Sequence, residues 1–431
     1  MIITFDSSLD TVISLLREKS DLFEPPVTLV RQTDGRLTVI VKKIKESMSS
    51  LEKLLDDKLG AYSSGQGSVL LEESSLIDPS EIFTRLNRIL IAEEPFEIRL
   101  IDKLMTNQDW LLPRLDMKLA GNVKIVVGYS IKGGVGRSLA LLVFARHLSG
   151  LGKRVVLVDM DLESPGIGAL LGSELSEYGV TDWLVESIVE NVPDSFPDYY
   201  WFRVPQLATG NGSVFCIPAW GNKSKNYVSK LGRAYLTTLS QDDRWFSLAN
   251  RLQRLMEAIA QSDDLSADVI LIDARAGLHD LGAALITRLG AEVMLFSRDE
   301  PQSWKAYAKL FEYLSQSQQV VWGQQNEDDD LRSKLKMVGA LMEDTEEASK
   351  ECIEASFDTW LALYDVETGD NSNLFTFSRD DDSAPHYPTP IYFNDSLRGF
   401  GGWKQKGTVR EEVLKSTFGS FCNLWTERLG F

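Results

Sequence analysis

Lys132-Gly133-Gly134-Val135-Gly136-Arg137-Ser138 stands between an apolar run, Val123-Lys-Ile-Val-Val-Gly128, and a stretch of helical character, Gly136 to Leu148. The first reads as a buried strand and the second as a helix. A further β-rich run, Arg154 to Val158, follows at the spacing of a right-handed crossover between parallel strands. Glycines 133, 134 and 136 remove the Cβ atoms that would keep backbone N–H groups away from a phosphate. The helix beginning near Gly136 adds the positive end of its dipole at the same point. The heptad therefore reads as a phosphate cradle, with Gly133, Gly134, Val135, Gly136, Arg137, Ser138 and Leu139 around the anion and the Ser138 hydroxyl placed for Mg2+.

Downstream of the heptad the same rhythm recurs. Val214 to Ile217, Val269 to Ile272, Val293 to Phe296 and Met337 to Leu341 read as strands. Helices are expected from Arg244 to Ile259, with Trp245, Leu248, Leu252, Leu255 and Ile259 on one face, and from Ser303 to Leu314. This alternation predicts an α/β fold with a doubly wound, mostly parallel sheet whose chemistry gathers at the carboxyl ends of its strands. Carboxylates occur at two such ends: Asp159 and Asp161 after one strand, Asp273 after another. A carboxylate is costly to bury without a cation, so their convergence suggests a metal held by Ser138, Asp161 and Asp273. Singly, Asp159 or Asp161 could instead cap the following segment. Gly277, four residues past Asp273, would let backbone amides approach a terminal phosphate.

These residues resemble the deviant Walker A ATPases of the ParA and MinD type, within the SIMIBI class of P-loop NTPases. Lys132 matches the family's signature lysine, Asp159-Met-Asp161 is similar to its switch I, and Asp273-Ala-Arg-Ala-Gly277 to its Walker B and switch II. Weaker echoes are Gly179 to Leu184, Val214 to Pro218 and Pro390 to Arg398, so the resemblance spans about residues 121 to 431. It implies an ATP- and Mg2+-dependent homodimer, a nucleotide-controlled switch acting on a partner protein. By the same match Lys132 reaches phosphates across the dimer, Asp161 orients the attacking water, Asp273 holds a metal-bound water, and Asp159 supports switch I. Those roles make Lys132, Asp161 and Asp273 the catalytic set. The stretch from Pro390 to Leu397 resembles the part that approaches the base.

Arg137 departs from the family, which places a lysine there, and its wider forked guanidinium implies slow ATP hydrolysis. The alternative reading is a nucleotide sensor or docking module without turnover. Arg275, where proline is common, either adds a cation near the γ-phosphate or forms an ordinary salt bridge. His279 is read as a phosphate sensor or, more plainly, a helix cap. Similarity to arginine-bearing variants in bacterial multi-gene cassettes points to a defence or partition-like system.

The 431 residues carry 63 acidic against 45 basic side chains, a net charge of −18, which points away from nucleic acid as a partner. Three scattered cysteines suit a reducing compartment, and without a signal-like start or an 18-residue apolar run a cytoplasmic protein with no membrane span is expected. Residues 1–115 read as a smaller accessory α/β domain with strands at Val27–Val30, Leu37–Val41 and Phe96–Ile101, a turn at Thr33-Asp34-Gly35, a helix from Ser47 to Leu59 and no chemical motif. The P-loop domain is expected over 121–431, with an insertion around 191–230 and acidic loops at 326–330 and 365–382. Near the end, Leu414, Phe418, Phe421, Trp425 and Leu429 form an apolar helical stripe. Its polar face lacks the positive charge of a lipid-binding helix, so core or dimer packing is expected.

Overall fold

The computed structural model describes residues 3–45, 48–77, 79, 88–171, 176–189, 192–193, 196–239, 245–316, 330–365, 374–403 and 409–431. Parts of the expected acidic loops, 326–329 and 366–373, lie outside these residues, as do 190–191, 194–195 and the expected helix starts at 47 and 244. The chain divides into two units, Met1–Leu112 and Pro113–Phe431.

In the first unit β1 (Phe23–Arg31) and β2 (Leu37–Ile44) form an antiparallel hairpin. The turn between them is closed by the Gly35 N–H on the Gln32 carbonyl. With β3 (Leu70–Glu72), β4 (Arg88–Ala92) and β5 (Ile98–Asp102) they make a mixed sheet in the order β3-β2-β1-β5-β4. Two helices, Phe5–Glu18 and Met48–Leu59, bury Val12, Leu16, Leu51 and Leu55 against Val27, Leu29, Val39 and Val41. The first of these helices and the strands β3 and β4 were not expected from the sequence. Thr4 caps that helix, its hydroxyl accepting from the Ser7 N–H, in a segment whose opening polar run masks the apolar spacing.

The second unit is built on β6 (Lys124–Ser130), β7 (Arg154–Met160), β8 (Phe202–Arg203) and β9 (Ser213–Ile217). A short ribbon, β10 (Thr238–Leu239) with β11 (Trp245–Phe246), comes next. Then follow β12 (Val269–Ala274), β13 (Glu292–Ser297), β14 (Leu335–Met342) and β15 (Thr389–Tyr392). The main sheet runs β15-β14-β13-β6-β12-β7-β9-β8, and among the described residues only the β8–β9 pairing is antiparallel. From β6 the chain winds one way through β7 and β9, returns to insert β12, then crosses to β13 on the other side of β6. That reversal is the switch point at which α/β sheets open a crevice beyond their strand ends.

Local corrections have local causes. The helix expected from Arg244 begins at Leu248, because Ser247 accepts the Asn250 N–H and stops the helix from extending backwards. Trp245 is therefore on β11, not on that helix face. The helix expected from Ser303 begins two residues earlier, with Pro301 in its first turn, where a missing N–H costs nothing.

The expected terminal stripe belongs to the helix Glu411–Arg428 and the Leu429 that follows it. Leu414, Phe418, Phe421, Trp425 and Leu429 are all buried in the core that also holds Phe144 and Phe296. The Phe421 ring lies 5.7 Å from Phe144 on the glycine-loop helix and 6.2 Å from Phe296 on β13, and the Trp425 indole donates to the Thr389 hydroxyl at 3.2 Å. Among the described residues no helix is long and apolar enough to cross a membrane. Phe421→Ala is expected to cost about 3–5 kcal/mol of unfolding free energy, measured by urea denaturation, whereas Lys415→Ala on the outward face should change it by less than about 0.5 kcal/mol.

Candidate functional site

Strand β6 ends at Ser130, and the chain turns through Gly134 (φ 75°) and Gly136 (φ 79°) into the helix Arg137–Gly150. Both values lie in the left-handed region, where a Cβ costs about 1–2 kcal/mol, so the turn needs glycine at these points. Among the described residues no side chain caps this helix. Its first N–H groups thus face outward at the positive end of a four-turn dipole, beside exposed Gly133, Gly134 and Gly136, as an anion cradle requires. Lys132 is exposed, and its ammonium donates to Gln302 Oε1 at 2.6 Å.

Parallel register assembles the acidic side of the site. Asp273 on β12 is the direct partner of Asp159 on β7 and of Gly128 on β6. A Cβ on Gly128 would lie 2.9 Å from a Leu141 methyl and 3.3 Å from Arg137 Cγ, so the bare strand makes room for the arginine stem. Arg137, 7% exposed, donates through Nε to Asp273, through one terminal nitrogen to Ser130 Oγ at 2.9 Å and through the other to Asp161 at 3.3 Å. Ser138 donates its hydroxyl to the second Asp273 oxygen. The wholly buried Asp159 accepts from the backbone N–H groups of Asp161 and Ile167, each at 3.2 Å.

One guanidinium thus faces three carboxylates. Burial opposes the Arg137 charge, but Asp273, then Asp161 and Asp159, outweigh it and hold the group above the ordinary arginine value. Burial, then the neighbouring charge of Asp273, push Asp159 well above the usual carboxylate range. Asp161 is also raised, chiefly by burial, with Arg137 pulling the other way. Negative charge at this edge is under-compensated, and the hydroxyl and carboxylate oxygens of Ser138, Asp161 and Asp273 are the hard donors that suit Mg2+. No group of three His, Cys, Asp or Glu side chains forms a ready cage among the described residues, so any metal would share its shell with phosphate and water.

Other candidates are placed more plainly. Gly277 donates its N–H to the Ser130 carbonyl at 3.0 Å and accepts from the Tyr129 hydroxyl at 2.9 Å, which ties the loop after β12 to the root of the glycine turn. Arg275 pairs with Glu163 at 3.0 Å, and Glu163 also accepts from the Tyr235 hydroxyl. His279 caps the short helix Asp280–Ala283 through Nδ1, and burial, then Arg275, lower its pKa. Beside the glycine turn lies a cavity of about 480 Å³ whose lining includes Gly136, Leu139, Leu341, Tyr392, Asn394 and Arg398. Pro390 does not line it; this residue pairs with Gly339 inside the sheet, while its successors reach the cavity. Leu341, at φ 57° beside the β14–β15 irregularity, is a strained residue in that wall. Sequence reasoning missed Gln302, Glu163 and Leu341, which carry no motif and enter the site only through folding.

No family model matches the chain. The antiactivator FleN of Pseudomonas aeruginosa is 28% identical over 190 residues, 44% of this chain and 55% of FleN. The chain thus spans about half the length of the curated relative it matches. Among solved structures the chain is similar to proteins of the ParA and MinD type. The ParA family ATPase of Chlorobium tepidum is 16% identical, with 70% of this chain and 99% of that chain covered and a TM-score of 0.44. The MinD cell division protein of Aquifex aeolicus is 14% identical, with 71% and 97% covered and a TM-score of 0.39. An McdA variant of Cyanothece in complex with ATP is 15% identical, with 72% and 98% covered and a TM-score of 0.42.

Removing the guanidinium leaves buried carboxylates with no cation. Arg137→Ala should lower the unfolding free energy of the nucleotide-free protein by about 3–5 kcal/mol, read by chemical denaturation, and the additional change Asp273→Asn should recover part of that loss.

Proposed function

We propose that this protein is an ATP-binding molecular switch of the ParA and MinD type, whose nucleotide state sets its association with itself and with a partner protein. The observation that carries the reading is the start of the helix behind the glycine turn at 132–138, whose Arg137 and Ser138 meet Asp161 and Asp273 at the ends of β7 and β12. In this reading the main-chain N–H groups of 133–139 grip the phosphates, and Arg137 leaves Asp273 to donate to phosphate. Ser138, Asp161 and Asp273 would hold Mg2+, which when bound supplies charge neutralisation at the β- and γ-oxygens. Asp161 and Asp273 also orient the water that attacks the γ-phosphate, while Asp159 braces the loop after β7. Lys132, exposed and donating to exposed Gln302, turns towards phosphates of a second copy in this reading. The base lies in the adjoining cavity between Leu139, Leu341 and the segment after Pro390.

FleN is described as an antiactivator, and a regulator that sequesters a partner is the corresponding reading here. A cytoplasmic site of action and a role in a defence or partition-like system belong to the same proposal. The first unit serves as its accessory or docking domain. A second reading, a nucleotide sensor without turnover, is favoured by one observation: Arg137 is engaged by the same two carboxylates that hydrolysis needs.

Calorimetry with ATP and Mg2+ should show one site per chain, and Gly136→Val should weaken binding at least about tenfold, or 1.4 kcal/mol. Light scattering should show the mass doubling with a non-hydrolysable ATP analogue. Phosphate release should be slow in the parent protein and fall at least about tenfold in Lys132→Ala while ATP affinity stays close to the parent's. Tight binding with zero release selects the sensor, and absence of binding rejects both.

A further inference from the structure

The groups suited to a divalent ion are already joined to one another through a resident cation. Arg137 Nε is on Asp273, a terminal nitrogen is 3.3 Å from Asp161, and the free Asp273 oxygen accepts from Ser138. The guanidinium is held from a third side by Ser130 Oγ, and its stem lies over the bare Gly128. A planar fork can bridge two carboxylates in this way, whereas an ammonium on a single stem presents one point charge. Two cations on the same oxygens repel at a few ångströms in a buried site, so the resident guanidinium opposes metal binding there.

We propose that Arg137 is the counter-ion of the resting site and excludes the divalent metal from Ser138, Asp161 and Asp273 until a triphosphate draws the guanidinium away. The inference rests on the nucleotide-switch reading for its biological meaning, and it names how that site is regulated. Metal entry becomes conditional on nucleotide: the anion offers Arg137 a better partner, the released carboxylates take the ion, and the loops that follow β7 and β12 shift together. A protein lacking this exchange would load metal without nucleotide and move those loops without the signal.

The test needs no nucleotide. Mn2+ is titrated into the full-length parent protein, Arg137→Gln and Arg137→Lys, with bound ion read by electron paramagnetic resonance and stability by thermal denaturation. The parent should bind Mn2+ weakly and show no thermal shift. Arg137→Gln should bind one ion at least about tenfold more tightly, or 1.4 kcal/mol, and be stabilised by it through mass action. Adding Asp273→Asn to Arg137→Gln should abolish the gain, which places the ion at this site. Should Arg137→Gln fold only when Mn2+ is present, that dependence supports the exchange, and Arg137→Lys then supplies the affinity, expected between the other two. Equal Mn2+ affinity in the parent and both variants, or no binding by either variant, overturns the proposal. Failure of ATP to bind would sink the nucleotide-switch reading and leave this outcome standing.

Discussion

A guanidinium buried between carboxylates at the carboxyl ends of three parallel strands is the interaction around which the second unit is arranged. Burial penalises every charge in the group, and the penalty is bearable only because Arg137 reaches Asp273 and Asp161 at once. That reach requires β6, β7 and β12 to lie side by side in a register that aligns Gly128, Asp273 and Asp159. Even so one cation faces three carboxylates, and burial, ahead of their mutual repulsion, raises the titration of Asp159 and Asp161.

The rest of the unit holds this edge in place. The helix that presents the glycine turn to solvent is pinned from behind by the terminal helix, through Phe421 against Phe144, and the same phenylalanine touches Phe296 on β13. The loop after β7, which carries Asp161, and the loop after β12, which follows Asp273, are cross-linked by Glu163 and Arg275, with Tyr235 as a third member. The loop after β12 is joined to the end of β6 by the Gly277 N–H on Ser130. The glycine turn is therefore mechanically connected to the loops that follow both β7 and β12.

Much of this was legible in the residues. The alternation of apolar runs and helical stretches announced a parallel sheet because buried parallel strands need continuous Val, Ile and Leu, as in Val269 to Ile272. The glycine turn was legible because glycine adopts the positive φ values found at 134 and 136 without a Cβ penalty. The terminal stripe was legible from its spacing alone. Less legible were the first helix and β3 and β4 of the first unit, which are short or begin in polar sequence, and the start of the helix at Leu248, decided by a single serine cap.

By itself the sequence determined the strand–helix alternation of the second unit's parallel sheet, the glycine turn and the carboxylates at its strand ends, because these depend on local backbone freedom and periodic burial. Only the tertiary structure decided which groups meet. It set Arg275 on Glu163, Lys132 on Gln302 and Leu341 in the cavity wall, and it turned Arg137 inward onto Asp273 and Asp161. Those pairings depend on strand register and on the space left at Gly128, quantities that no short window of sequence contains.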